Sequence, residues 1–81
     1  MKRYKRYVSI IQFVDKNGKV TPKTLIWENN MKYTIDRVLE IRNAASCVGG
    51  YGLCYRCRIA GVERNLFFED QKRWFIESLK P

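Results

Sequence analysis

The parity of apolar residues across three predicted hairpins limits the fold of this chain more than any other feature. Side chains alternate between the two faces of a strand, so the apolar residues of paired strands must share one parity. Loops at residues 28–30, 61–62 and 70–72 each bring apolar residues opposite apolar residues. Because the three hairpins agree on one apolar face, the pattern predicts an antiparallel all-β fold.

Six strands are predicted, because β-branched and aromatic residues dominate and turn residues recur at short intervals. Asn17-Gly18 is the strongest turn signal. The predicted strands cover residues 4–14, 21–27, 32–41, 53–60, 63–69 and 73–79. Residues 43–52, with three glycines, are predicted to form a loop.

Each loop length predicts a register. A turn at residues 61–62, with Gly61 first in a type II′ turn, sets Cys57 opposite Leu66 and Tyr55 opposite Phe68. The other two loops predict three further apolar pairs: Phe68 with Trp74, Leu66 with Ile76, and Leu25 with Tyr33. In the loop before Tyr33, Asn30 is expected to take the left-handed conformation, which Asn tolerates.

Strand three breaks the alternation, since Arg37 falls on the apolar parity and Val38 on the other. A bulge near Asp36 and Arg37 would restore the pattern and bend the sheet. Short, bent antiparallel strands around a small core predict an SH3-like barrel or half-barrel of five or six strands. The predicted core contains Trp27, Tyr33, Ile35, Tyr55, Ile59, Leu66, Phe68, Trp74 and Ile76.

The 81 residues allow one domain at most. We divide the chain into a basic N-terminal arm, residues 1–6, and a single β-barrel domain, residues 7–81. The basic head is followed by a short apolar stretch with no small-residue cleavage site, so it is not interpreted as a secretion signal. A cytoplasmic protein with reduced thiols is therefore expected.

Cys54 and Cys57 have the C-x-x-C spacing, with Cys47 upstream, so zinc binding and redox chemistry both need to be weighed. Residues three apart on a strand point to opposite faces, so the pair would diverge. A structural zinc would also lack histidine ligands, and a redox pair would lack the helix that activates it. Cys57 is therefore predicted to be a small core residue, and no metal or cofactor is expected.

Charge and residue inventory favour binding over catalysis. Sixteen Lys and Arg residues against eight Asp and Glu residues give a net charge of +8 at pH 7. A positive field of this kind attracts polyanions, with nucleic acid first among them. The chain has no histidine, the commonest general base, and its serines have no obvious activating partner. An enzyme is not expected.

The outer face of strands four to six combines arginines with aromatic rings, as surfaces that bind single-stranded nucleic acid do. The predicted registers place Arg56, Phe67 and Phe75 in one row, with Arg58 beside them. A flexible loop adds one ring and the arm adds positive charge. The predicted nucleic-acid-binding residues are Arg56, Arg58, Phe67, Phe75, Tyr51, Arg3, Lys5 and Arg6.

An alternative stays open, because aromatic pairs on a sheet are more often packed than bound to a ligand. The N-terminal strand or a second copy of the chain would then cover Phe67 and Phe75. In that case the chain is a protein-interaction module or a homodimer that buries its aromatic face. Neither interpretation predicts a membrane partner or a small-molecule substrate.

The succession "DKNGKVTPKTLIWENNMKYTIDRVLEIRNAAS", "GGYGLCYRCRIAG", "LFFE" and "RWFIE" resembles a family of small bacterial proteins without assigned function. The resemblance covers nearly the whole chain after residue 7. It implies a single SH3-like barrel domain and carries no activity over to this chain. Members of the family tend to have Gly where this chain has Asn30, and both residues suit a left-handed turn.

Overall fold

The computed structural model describes residues 3–46, 49 and 51–78. Six antiparallel strands follow one another in chain order and close into a barrel, so the predicted small all-β barrel is confirmed. The strands are β1 (Tyr4–Val14), β2 (Val20–Ile26), β3 (Lys32–Ala45), β4 (Tyr51–Ile59), β5 (Val62–Glu69) and β6 (Arg73–Ser78). Among these residues, no helix is long and apolar enough to cross a membrane.

Two long strands close the barrel by changing partners along their length. The first half of β1, residues 4–8, pairs with β6, and its second half, residues 9–14, pairs with β2. In the same way β3 pairs first with β2 and then with β4. The bulge predicted near Asp36 is confirmed, and β3 has a second register shift between Val38 and Glu40. These irregularities bend β3 from one part of the barrel wall into the next.

The β2–β3 and β5–β6 hairpins have the predicted registers. Leu25 lies opposite Tyr33, and Phe68 lies opposite Trp74. Asn30 has a φ of 63°, which confirms the expected left-handed turn residue. In both hairpins the loop residues and the apolar parity therefore specify the same pairing.

The β4–β5 register differs from the prediction by two residues. The turn lies at Ala60 and Gly61, so Tyr55 faces Leu66 rather than Phe68. Both turn residues have positive φ, 50° and 78°, which is typical of a type I′ turn and not of the expected type II′. Because a shift of two residues preserves parity, every side chain stays on its predicted face.

The strands also extend beyond several predicted bounds. β3 continues to Ala45 and β4 begins at Tyr51, so much of the predicted loop at residues 43–52 is strand. β1 has its predicted bounds, residues 4–14, and its first three residues, which also belong to the predicted basic arm, pair with the last three residues of β6. The predicted arm therefore forms part of the barrel wall from Tyr4 onward.

The barrel interior holds the main apolar cluster. Six predicted core residues are buried there, and Trp27, Tyr33 and Ile76 are partly buried against them. The Phe68 and Trp74 rings stack with centroids 4.3 Å apart. The Trp74 Nε1 donates a hydrogen bond to Gln12 Oε1 at 2.9 Å, so its polar atom is satisfied at the edge of the core. The buried members of this cluster are Leu25, Ile35, Tyr55, Cys57, Ile59, Leu66, Phe68 and Trp74.

Leu66→Ala is expected to lower the free energy of unfolding by roughly 2–5 kcal/mol, because a buried leucine leaves a cavity that a small barrel fills poorly. Leu66 has no exposed surface. Ile11→Ala is the control: Ile11 is 48% exposed, so its truncation should cost less than about 1 kcal/mol. Urea unfolding followed by tryptophan fluorescence measures both, and equal losses would contradict the assigned inner face.

Candidate nucleic-acid interface

The outer face of β4, β5 and β6 contains a second apolar cluster. Phe67 and Phe75 lie directly opposite each other, and their rings stack with centroids 4.9 Å apart. Phe67 is 3% exposed and Phe75 is fully buried. Cys54 is buried beside them, and Ala44 packs against the group. This outward-facing row is therefore a second core and not an exposed platform.

The N-terminal half of β1 covers one side of this cluster. The Tyr7 ring meets Phe75 edge-on at 6.0 Å, and the Lys5 ammonium lies 4.7 Å from the Phe75 ring centroid. Both covering residues are tied to Glu69: Tyr7 Oη donates to it at 2.8 Å and Lys5 Nζ at 3.1 Å. Arg73 adds a contact with the same carboxylate at 3.4 Å. The covering side chains are thus held in place by one acidic residue.

The electrostatics of the Glu69 cluster follow from these bonds. The hydrogen bond from Tyr7, followed by that from Lys5, lowers the pKa of the Glu69 carboxyl below its ordinary value. The hydrogen bond to Glu69 in turn raises the pKa of the Lys5 ammonium. Both groups therefore stay charged at neutral pH. Lys5 is already engaged in covering the ring and binding Glu69.

The end of the β3–β4 hairpin approaches the cluster from the other side. Ala44 packs against the rings, and Ser46 Oγ donates a hydrogen bond to Glu77 on β6 at 3.0 Å. Gly52, near the start of β4, lets this strand lie close to β5, since a Cβ there would lie 2.6 Å from the backbone oxygen of Phe68. β1 and the β3–β4 hairpin together account for the burial of both phenylalanines.

The prediction that Phe67 and Phe75 stack with bases is wrong in this structure, because neither ring is exposed. The predicted row is also displaced, since Cys54 and not Arg56 lies opposite Phe67. Of the alternatives that the sequence left open, the structure shows the one in which the N-terminal strand covers the rings. The signal was present in the alternation of β1, which places Lys5 and Tyr7 on one face.

Phe75→Ala is expected to lower the free energy of unfolding by roughly 3–5 kcal/mol, as truncation of a buried phenylalanine usually does. Tyr51→Ala is the matched control, since that ring is 62% exposed and its loss should change stability by about 0.5 kcal/mol or less. Chemical denaturation measures both. An unchanged stability of Phe75→Ala together with weaker oligonucleotide binding would restore the stacking hypothesis.

The C-x-x-C cysteines lie in different clusters. Cys57 is fully buried in the barrel interior, which confirms its predicted place in the core. Cys54 points to the opposite face and packs beside the two phenylalanines, whereas Cys47 lies outside the described residues. Across residues 3–46, 49 and 51–78, no three potential metal ligands come together. Burial raises the pKa of both the Cys54 and Cys57 thiols.

The Cys57 thiol should make the stability of the fold depend on alkaline pH. Desolvation, followed by the charge of Cys54, raises the pKa of Cys57 from 9.0 to about 11. In the unfolded chain this thiol ionises at a lower pH than in the folded protein. The stability that the buried neutral thiol contributes is therefore fully present below the unfolded pKa, and it declines as the pH rises from 9.0 to about 11. Cys57→Ala should have a lower free energy of unfolding than the parent protein at neutral pH. The difference between the two proteins should become smaller as the pH rises across this range. A gap independent of pH in urea titrations would contradict the burial of the thiol.

Exposed arginines gather on the outer face of β3 and β4. Arg56 is neutralised by two carboxylates, with Glu63 at 2.7 Å and Glu40 at 3.6 Å. Arg58 lies directly opposite Arg37 across the two strands. Neither of these two arginines has an acidic partner within 4.0 Å among the described residues. Two like charges side by side without an acidic partner repel each other, and a bound anion would relieve that repulsion.

Sequence reasoning identified Arg58 but not Arg37. Arg37 lies on the inward parity of a regular strand, and the register shift between Ile35 and Arg37 turns it to the outer face. The sequence signal for this residue was the predicted bulge itself. Once the bulge is accepted, Arg37 and Arg58 share a face.

The eight predicted binding residues do not form one surface. Arg56 and Arg58 lie on the outer face of β4, and Tyr51 is exposed where that strand begins. Lys5 covers Phe75. Arg6 pairs with Glu28, lies 5.2 Å from the Trp27 ring centroid, and lines the open end of the barrel together with Arg3.

A scan of protein-family models, a search of curated proteins and a search of solved structures each found no match to this chain. The bacterial family suggested by the sequence therefore stays a prediction. What the outer surface can bind follows from its own geometry and charge.

Proposed function

We propose that this protein is a non-catalytic module that binds nucleic acid through the phosphate backbone. Arg37 and Arg58, on the outer face of β3 and β4, would make the central contact. The observation that carries the proposal is their direct cross-strand pairing without a carboxylate partner among the described residues.

The pairing of Arg37 with Arg58 supports an anionic ligand on physical grounds. Like charges directly opposite each other destabilise a sheet. Glu63 is the other cross-strand neighbour of Arg58, yet its carboxylate is bound to Arg56 at 2.7 Å. A phosphate between the two guanidinium groups would relieve their repulsion and accept hydrogen bonds from both.

The overall charge favours a polymer of phosphates over a single anion. The net charge of +8 gives the chain a positive field, and each phosphate contact made by Lys or Arg releases a condensed counterion. Because Phe67 and Phe75 are buried, the exposed part of this face offers cations for phosphates, and these two rings are not available for stacking with bases. Binding through the backbone alone carries little sequence information, so weak sequence preference is expected.

The competing proposal was a protein module or homodimer that buries the aromatic face. One chain already buries Phe67 and Phe75 with its own Tyr7, Lys5 and Ala44. No second copy is needed to remove these rings from water. The support for nucleic acid, in contrast, comes from arginines that stay exposed.

We further infer that the chain belongs to the small bacterial SH3-like family that it resembles, and that it acts in the cytoplasm. The closed six-stranded barrel supports the expected fold of that family. Cys54 and Cys57 are free thiols, which a reducing compartment favours.

Arg37→Ala and Arg58→Ala should each weaken oligonucleotide binding about threefold or more, and each should reduce the slope of log K against log salt by about one or less. Fluorescence polarisation with a labelled oligonucleotide at several salt concentrations measures both effects. The matched control is Lys16→Ala, in the β1–β2 turn at the opposite end of the barrel from the β4–β5 turn. That variant should bind nearly as the parent does.

Two outcomes would contradict the proposal. Equal losses from Lys16→Ala and Arg58→Ala would show only general attraction to a positively charged protein. Retention of full binding by the Arg37→Ala and Arg58→Ala double variant would place the contact elsewhere. Thermal unfolding of each variant separates loss of binding from loss of folding, since exposed arginines should contribute little to stability.

A further inference from the structure

The second half of β3 forms an edge of the sheet. β2 pairs only with the first residues of β3, from Lys32 to Thr34. Beyond them, residues 35–45 pair, within the described chain, with β4 alone. An edge strand presents unpaired backbone N–H and C=O groups at every second residue. Residues 39–43 can therefore accept another strand on the side away from β4.

The parts of the chain outside the described residues are too short to cover this edge. Ile41 and Lys19 line one cleft, so the edge lies at the end of the barrel that carries the β1–β2 turn. Tyr4 pairs with Ser78 at the other end of β1, roughly 30 Å away at ~3.3 Å per residue. The few residues that adjoin these two outside the described chain span at most about 10 Å. At the tip of the β3–β4 hairpin, Ser46 is bonded to β6 and not to this edge.

The side chains along the edge are arranged symmetrically about Ile41. Glu40 and Arg42 lie on the outer face, one on each side of Ile41, which points to the opposite face. All three are exposed. The Glu40 carboxylate has only long contacts, 3.6 Å to Arg56 and 3.8 Å to Arg42, so it can accept a shorter hydrogen bond from another guanidinium group.

We propose that β3 binds β3 of a second copy of this chain as an antiparallel strand, with Ile41 at the two-fold axis. In this register Glu40 of each copy lies opposite Arg42 of the other copy. The two Ile41 side chains meet at the centre. Because the symmetry repeats each contact, the interface contains two ion pairs and one central apolar pair.

Charge selects this register over its neighbours. Directly opposed residues of paired strands share a face, so the axis must pass through a residue and not between two residues. An axis at Glu40 would place two carboxylates opposite each other, and an axis at Arg42 would do the same with two guanidinium groups. Like charges directly opposed destabilise a sheet. Of these three positions, only an axis at Ile41 brings unlike charges together.

The proposed contact is small and independent of the phosphate contact. Residues 39–43 provide five opposed positions, which is well below a standard interface, so a weak and concentration-dependent dimer is expected. This dimer differs from one that buries the aromatic face, because Phe67 and Phe75 take no part in it. It also uses neither Arg37 nor Arg58, so each proposal can fail without the other.

The test is sedimentation velocity of the full chain from about 10 µM to about 1 mM, with ¹⁵N NMR spectra over the same range. The protein should change from monomer toward dimer as its concentration rises. The amide signals of residues 39–43 should shift with concentration. Those amides that point away from β4 should also exchange more slowly with solvent in the dimer, because a second strand covers them.

Charge reversal at the two positions tests the register. Arg42→Glu sets carboxylates opposite each other, and Glu40→Arg does the same with guanidinium groups, so each should weaken dimerisation at least about tenfold. An equimolar mixture of the two variants opposes unlike charges at both positions and should form a heterodimer. The chain that carries both substitutions exchanges the two charges and should dimerise about as the parent protein does.

Arg64→Glu is the matched control, since it makes the same change of charge at an exposed arginine of β5. Both this variant and Arg42→Glu reduce the net charge of +8, so general repulsion between copies would fall in both. Only a contact at Arg42 predicts weaker association of one variant and not of the other. Thermal unfolding verifies that each variant is folded.

Four outcomes would overturn the proposal. They are a monomer at every concentration, undiminished dimerisation of Arg42→Glu, no heterodimer in the mixture, and concentration-dependent shifts confined to other strands.

Discussion

The structure depends on the way β1 pairs with two different partners. Residues 4–8 join β6 and residues 9–14 join β2, so this strand connects the last element of the chain to the second. Without it β6 would be a free edge and the interior cluster would open to water. The same pairing places Lys5 and Tyr7 on the outside, where they cover Phe75 and bind Glu69. Closure of the barrel and burial of the second cluster therefore have one cause.

Burial of the outer aromatic row changes what the surface can recognise. A small barrel gains a second apolar cluster and loses an exposed stacking platform. Local ion pairs decide which arginines on this face can bind an anion. Glu40 and Glu63 neutralise Arg56, whereas the positive charges of Arg37 and Arg58 are not neutralised by a described carboxylate. The proposed phosphate contact therefore depends on charge and not on base stacking.

Much of the fold was predictable because its signals are local. Asn30 marks a left-handed turn, and the loops at residues 28–30 and 70–72 set their registers within one hairpin. The β4–β5 register was not predictable in the same way. A slip of two residues keeps every side chain on its face, so the parity argument cannot detect it. That slip moved Cys54, and not Arg56, next to Phe67.

The same distinction between local and long-range signals applies to the candidate sites. By itself the sequence determined the all-β class, the inward row that contains Cys57 and Leu66, and the excess of positive charge. These follow from the two-residue period of a strand and from composition, which need no distant partner. Only the tertiary structure decided that β1 lies beside β6 so that Phe75 is covered, and that Cys54 rather than Arg56 lies opposite Phe67. The first is a contact between the first and last strands, and the second is a register choice that preserves parity, so the alternation of residues within a strand encodes neither of them.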